Sequence, residues 1–270
     1  MEESRVLQSI IAARRRRIEE VRAGTSLESL RQAAEAQSER RDFAGALSGQ
    51  TLSVIAELKQ ASPSRGLLRP EYRPLEIAES YQQAGASALS VLTEEQFFLG
   101  SIKDLTVVRE AVRLPVLRKD FIVNEYQVYE SVAAGADALL LIVAALEDKE
   151  LARFIELSER LRIAALVEVH TAEELDRAIA ASARIIGVNN RNLKTMEVNL
   201  ETSLRLREKI PSSCLAISES GIKSGADLEK MARAGFNAVL IGEHLMLAGD
   251  PGKELSRLLK SAPTLKMAGA

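Results

Sequence analysis

From Glu76 onward the chain alternates between two textures: an amphipathic stretch, a short Ala-Gly turn, and a run of apolar residues. IAESYQQAGASALSVL, YESVAAGADALLLIV and LEKMARAGFNAVLIG are three copies of this unit. In each copy a glycine (Gly85, Gly135 or Gly235) stands where a helix must end in the left-handed conformation that glycine adopts without strain. The apolar runs are continuous rather than alternating, as expected of strands buried on both faces in a parallel sheet. The spacing predicts strands at Ser53–Leu58, Ala88–Leu92, Pro115–Arg118, Ala138–Val143, Ala164–Val169, Ile185–Val188, Leu215–Ser218 and Ala238–Ile241. Helices are predicted at Pro74–Ala84, Ile102–Ala111, Glu125–Ala134, Glu147–Leu161, Ala172–Ala180, Leu200–Glu208, Gly225–Ala234 and Pro251–Lys260. Strict alternation of strand and helix over so many units points to a (β/α)8 TIM barrel. An open doubly wound sheet is disfavoured because no G-x-G-x-x-G follows the first strand.

The expected organisation is one barrel domain over residues 1–270, with residues 1–50 as an N-terminal helical extension. Within that extension, IIAARRRRIEEVRAG is rich in arginine, but Val6, Ile10, Ile11, Ile18 and Val21 recur near helical spacing. The arginines are therefore expected on a solvated helix face rather than in a targeting or nucleic-acid segment. A formal net charge of -2 gives no basic field for nucleic acid, and 4% aromatics without tryptophan give no base-stacking surface. No apolar run is long enough for a membrane span. Cys214 is the only cysteine, and His170 and His244 the only histidines, so no metal centre and no cofactor are expected. The cysteine count fits a reducing, cytoplasmic setting.

Polar residues change this picture at one end of the strands. The first strand ends Glu57-Leu58-Lys59, the third runs into Lys119 and Asp120, and the fifth ends at Glu168. The sixth ends in GVNNRNL, the seventh in AISESG and the eighth in LIGEH. Barrel chemistry sits where strands end and βα loops begin. Because strand side chains alternate, Glu57 and Lys59 point the same way, into the mouth. Any one of these charges could be a solvated rim residue, and Lys59 or Lys119 could pair structurally with Glu57, Asp120 or Glu168. Their joint occurrence at one face argues for a site. His170 and His244 read as rim residues. Ser220-Gly221 and Gly242-Glu243 lie in the loops that bind phosphate in such barrels, where glycines expose backbone N–H groups to an anion. Lys119 with Glu168 offers an acid–base pair, which suits proton transfer on a sugar-phosphate skeleton. A Schiff base at Lys119 or Lys59 is the mechanistic alternative.

The segments VIAELKQASPSRG, LSVLTEEQFFLGS, PVLRKDFIV, ALVEVH, IIGVNNRNLKT, ISESGI and AVLIGEHLM together resemble the indole-3-glycerol-phosphate synthase family along almost the whole chain. The resemblance implies a carboxy-lyase of tryptophan biosynthesis. Such an enzyme closes the ring of 1-(2-carboxyphenylamino)-1-deoxyribulose 5-phosphate, with loss of CO2 and water. It implies Lys119 as the acid at the ketone oxygen and Glu168 as the base or the acid–base group of dehydration. Lys59 would contact phosphate or carboxylate and serve as a later proton donor, with Glu57 and Asn189 holding these groups. Ser62 and Arg191 would face the anthranilate carboxylate, with Phe98, Phe121, Leu140 and Leu193 around the ring. Ser220, Gly221, Gly242 and Glu243 would form the phosphate nest, with Glu219 nearby. Glu243 stands where family members often carry a small residue, so its side chain is expected to point outward. The implied partners are the small-molecule substrate, no nucleic acid and no membrane, with room for other tryptophan-pathway enzymes. The alternatives are another phosphate-binding barrel, such as phosphoribosylanthranilate isomerase, or a non-catalytic metabolite binder. The Pro, Gly and Ser content of the loop from Ser62 to Arg69 suggests a lid.

Overall fold

The computed structural model describes residues 4–37, 39–192 and 195–262. Eight parallel strands close into a barrel: β1 (Ser53–Leu58), β2 (Ala88–Leu92), β3 (Val116–Lys119), β4 (Ala138–Ile142), β5 (Ala164–Val169), β6 (Ile185–Asn189), β7 (Leu215–Glu219) and β8 (Ala238–Ile241). Each strand lies beside the next in sequence, and β1 completes the ring by pairing with both β2 and β8. Among the described residues three helices precede the barrel: α1 (Ser4–Arg22), α2 (Leu27–Ala36) and α3 (Phe43–Leu47). The connections carry α4 (Pro74–Ala84), α5 (Ile102–Ala111), α6 (Glu125–Ala133), α7 (Asp148–Arg160), α8 (Ala172–Ala180), α9 (Glu201–Arg207), α10 (Gly225–Arg233), α11 (Glu243–Leu247) and α12 (Pro251–Lys260).

The elements fall within a residue or so of where the hydrophobic pattern puts them, and the differences bear on function. β3, β6 and β7 each run one residue further than predicted, so Lys119, Asn189 and Glu219 belong to the strands. Their backbones are held by the ladder, Leu92 facing Lys119 and Asn189 facing Glu219. Gly85, Gly135 and Gly235 all have positive φ at helix ends, as the repeat requires.

The barrel is filled from below upward. Ile55, Leu117, Leu166, Ile185 and Ile217 fill its interior, and Phe43 and Leu47 of α3 seal its lower end. Ser53, at the start of β1, donates a hydrogen bond to the Ala46 carbonyl and fixes that plug (3.3 Å). A second apolar layer, including Val54, Ala56, Leu58, Val91 and Val167, packs the strands against the helices. Inside the barrel, charge is admitted above this apolar floor, while the outer layer also holds the buried pair Arg118–Asp120.

The arginine-rich segment departs from expectation at one position. Arg15 and Arg16 are exposed, but Arg14 is buried at 6% exposure and pairs with Asp120 at the end of β3. Asp120 also accepts from Thr93 (2.5 Å) and Arg118 (3.1 Å), so Arg14 docks α1 onto a charge network already present in the barrel. Burying a charge demands such a partner, and the carboxylate supplies it.

Candidate active site

Above the apolar floor the inward positions of the strands turn ionic. Glu57 and Lys59 face the mouth from β1 and its end, Lys119 from β3, Glu168 from β5, Asn189 from β6 and Glu219 from β7. All line one cavity of about 150 Å³ together with Phe98, Phe121, Leu140, Ser62 and Arg191. Lys119 Nζ donates to Glu168 Oε2 (2.9 Å) and to Glu219 Oε2, so one ammonium bridges two buried carboxylates. Beside them Lys59 Nζ donates to Glu57 Oε1 (2.6 Å). Asp120, the next residue after Lys119, borders the cavity but its carboxylate joins a different network. Strand alternation turns it to the outer layer, where it meets Arg14 and Arg118.

Two glycines make room for this cluster. A Cβ on Gly187 of β6 would lie 2.1 Å from Glu219 Oε1, and one on Gly242 would lie 2.2 Å from Glu57 Oε1. Both positions exclude any larger residue as long as those carboxylates occupy the interior. Gly242 was expected as part of a phosphate nest; its close approach to Glu57 is a separate constraint.

The charges set one another's protonation. Burial works against the Lys119 ammonium, but Glu168, Glu219 and Glu57 raise its pKa above the usual lysine value. Burial likewise opposes ionisation of Glu168, and the Lys119 charge, His170, and hydrogen bonds from Lys119 and Asn189 reverse this and hold it well below the usual carboxylate range. Glu219 goes the other way. Burial, with the neighbouring Glu168 charge, outweighs Lys119 and pushes it up to about 7. Its Oε1 has no hydrogen-bond partner among the described residues. The two carboxylates on one lysine thus have separate states, a pattern that marks acid–base sites. Sequence adjacency groups Glu219 with the phosphate loop; the structure puts its side chain against Lys119 instead, because β7 turns Leu215, Ile217 and Glu219 to the same, inward side.

The sequence reads His170 as a rim residue; its side chain is 9% exposed and sits behind Glu168, with Nε2 3.4 Å from Glu168 Oε1. Another missed residue is Glu94, whose carboxylate accepts from the backbone N–H groups of Gln96, Phe97 and Phe98. It folds the turn that presents Phe98 to Phe121, their ring centroids 6.0 Å apart. A carboxylate opening a turn, two to four residues before the amides it caps, is the signal that could have found it.

On the far side of the mouth, Ser220 and Gly221 have successive positive φ values (67° and 90°). The Ser220 hydroxyl donates to Asn189 Oδ1 (2.9 Å). Buried Asn190 donates to the carbonyls of Glu219 and Ser220, both at 3.0 Å. Gly221, Gly242 and Glu243 border an adjoining hollow of about 380 Å³ with Arg65, Arg191 and Lys223. Glu243 does not point outward. Its carboxylate spans Arg191 Nη2 (3.1 Å) and Arg65 Nε (3.4 Å), because two guanidinium groups from the rim attract it. Ser62 lies in a short hairpin, Ala61–Ser62 against Gly66–Leu67, whose far end is fastened by Arg69 to the Ala248 carbonyl (2.9 Å). Leu193 lies outside the described residues.

Three comparisons bear on this geometry. Residues 7–258 match the family model for indole-3-glycerol phosphate synthase. The indole-3-glycerol phosphate synthase of Chloroherpeton thalassium is 52% identical over 244 residues, covering 89% of this chain and 94% of its own. That of Laribacter hongkongensis is 48% identical over 260 residues, covering 94% and 99%. Among solved structures, 3-hexulose-6-phosphate synthase from Salmonella typhimurium superposes with a TM-score of 0.62 at 13% identity, covering 78% of this chain and 99% of that one. Thiamine phosphate pyrophosphorylase from Pyrococcus furiosus gives 0.60 at 16% identity, covering 80% and 98%. These last two share the fold alone.

Proposed function

The chain belongs to the indole-3-glycerol phosphate synthase family, and from that membership we propose how its barrel mouth divides the work of the reaction. The reaction closes the ring of 1-(2-carboxyphenylamino)-1-deoxyribulose 5-phosphate, releasing CO2 and water to give indole-3-glycerol phosphate in tryptophan biosynthesis. The aromatic carbon bearing the carboxylate must attack the ketone carbon, which leaves charge on the ketone oxygen. An acid within reach of that oxygen lowers the barrier. CO2 then departs, its electron pair quenching the iminium formed in the ring. Loss of the new hydroxyl as water needs a proton, and a base must take a ring proton to restore aromaticity.

The observation that carries the assignment is the Lys119 ammonium, bridged between Glu168 and Glu219 at the centre of the cavity. We assign Lys119 as the acid at the ketone oxygen and Glu168, held ionised, as the proton acceptor. Glu219 places Lys119. When it carries its proton it leaves the lysine a stronger acid than two full negative charges would. Lys59, held by Glu57, is the donor for the departing hydroxyl or a contact to the substrate's anionic groups. Phe98, Phe121 and Leu140 enclose the aromatic ring. Arg191 and Ser62 take the carboxylate end, so Arg191 must share its charge with Glu243. Backbone N–H groups of Ser220, Gly221 and Gly242 receive the phosphate, with Arg65 and Lys223 bordering the hollow beside Gly221 and Gly242. A biosynthetic role supports a cytoplasmic enzyme, with other enzymes of the pathway as candidate partners.

The isomerase alternative wanted a cysteine at the mouth. Cys214 precedes β7 at the opposite end and donates through Sγ to the Ala183 carbonyl (3.3 Å). The test is direct: purified protein mixed with the carboxyphenylamino substrate develops indole fluorescence, and inorganic phosphate slows it competitively. Absence of fluorescence with a substrate that demonstrably binds would leave a metabolite binder.

A further inference from the structure

Beyond Glu168, β5 continues through Val169 to His170, whose side chain is 9% exposed. Its Nδ1 lies 3.0 Å from Glu174 Oε2, and that oxygen also accepts the His170 backbone N–H at 2.7 Å. Glu174 stands in the first turn of α8, and the His170 backbone N–H holds its carboxylate there. The other ring nitrogen, Nε2, lies 3.4 Å from Glu168 Oε1 and makes no hydrogen bond among the described residues. A neutral imidazole has one N–H and one lone pair, so it would turn a lone pair on one of these carboxylates. The imidazolium instead offers an N–H to Glu174 and a positive charge close to Glu168.

This matters because the acid and the counter-ion of the base are the same group. Glu168 is ionised chiefly through the Lys119 charge, yet Lys119 gives that charge up on protonating the ketone oxygen. Glu168 and Glu219 then face a neutral amine in a buried site, where an unpaired carboxylate takes up a proton.

We propose that His170, anchored by Glu174, is a positioning residue that supplies a second positive charge, keeping Glu168 ionised while Lys119 is discharged. The inference rests on the assignment of Lys119 as acid and Glu168 as acceptor. The groups facing the ring are consistent with it: Glu168 on β5, Glu174 on α8, Glu219 on β7, and Lys119 on β3 beyond Glu168. Burial disfavours the charged ring, but hydrogen bonding to Glu174 and the three carboxylates raise its pKa above the usual histidine value.

The experiment compares His170→Ala, His170→Asn, Glu174→Gln and Glu168→Gln with the parent enzyme across pH. His170→Ala is expected to lower kcat by about tenfold or more, with KM moving less than about twofold. The acid limb of kcat should rise by about one pH unit, as follows from losing a close opposite charge. Added imidazole should restore the rate near about pH 6 and less so at about pH 8, because only its protonated form brings the charge. Asparagine offers a donor without charge and should behave like alanine; Glu174→Gln should fall between. Parent-like kcat and an unshifted acid limb in His170→Asn, or no rescue by imidazole, would overturn the proposal. Activity retained by Glu168→Gln would instead overturn the acceptor assignment itself. An inactive Glu168→Gln beside a fully active His170→Asn would sink only the positioning role.

Discussion

Glu219 shows how a residue's place in the strand period decides its chemistry. Its carboxylate is pushed up to about 7 by burial and by Glu168, so it carries a proton at mildly acidic pH and loses it as pH rises. Once ionised, it strengthens the hold on the Lys119 proton and weakens the acid. The expected result is a kcat/KM that declines above about pH 7 in the parent enzyme. Glu219→Gln, neutral at every pH, should lack that decline; an unchanged alkaline limb in this variant would refute the role. Gly187 gives a steric counterpart. A methyl group there would displace Glu219 and with it Lys119, and a shift of about 1 Å at reacting groups costs on the order of 10²-fold in rate. Gly187→Ala should therefore lose far more activity than stability, checked by kcat beside a thermal melt. At this scale the sequence was legible wherever period two applies: Glu57, Lys59, Lys119, Glu168 and Asn189 all reach one cavity. It was not legible where the partner is remote. Glu219 looked like part of the loop that follows it, and nothing local announces that Glu243 meets two arginines.

Among the elements, the barrel was the more legible part because each βα unit carries its own signals, an apolar run and a glycine after the helix. The extension was less so. Arg14 lies in line with Ile10 and Ile18 at intervals of four, on the stripe that faces the barrel. That is a cue to burial, but the partner Asp120 is 106 residues away. Val6, Leu7 and Ile10 of the same helix border the cavity, so α1 forms part of the site's wall. Arg14→Ala removes the charge that fixes it, while Asp120 keeps Arg118. The expected loss is on the order of 1–3 kcal/mol, with earlier cleavage of α1 in limited proteolysis and a raised KM. A variant with parent-like KM and protection of α1 would show that the ion pair does not dock the helix.

For the molecule as a whole, the buried charges predict a stability optimum on the acid side of neutrality. Arg14, Arg118 and the Thr93 hydroxyl hold Asp120 below its usual range against burial, and Glu168 is depressed as well. Their contribution is present above the unfolded carboxylate pKa of about 4 and is lost as pH falls below it. Glu219 and His170 are raised. The folded state therefore binds their protons more tightly, and stability falls as pH climbs through the interval between unfolded and folded values. Thermal melts should show Tm highest between about pH 5 and 6, lower at about pH 8, and steeply lower below about pH 4. Glu219→Gln should flatten the decline on the alkaline side, and a Tm that rises from about pH 6 to 8 would contradict the signs assigned to the cluster. The fold that places the cluster is a common barrel, as its likeness to sequence-distant phosphate enzymes shows. In this chain the cluster is an ionic layer laid over an apolar floor.

The central claim is that Lys119 performs the chemistry rather than the binding. A single-turnover experiment with Lys119→Met, following substrate binding and indole formation separately, tests it most directly. Parent-like binding, with ring closure slower by on the order of 10³-fold or more, is the predicted result. Ring closure within about tenfold of the parent would contradict the account.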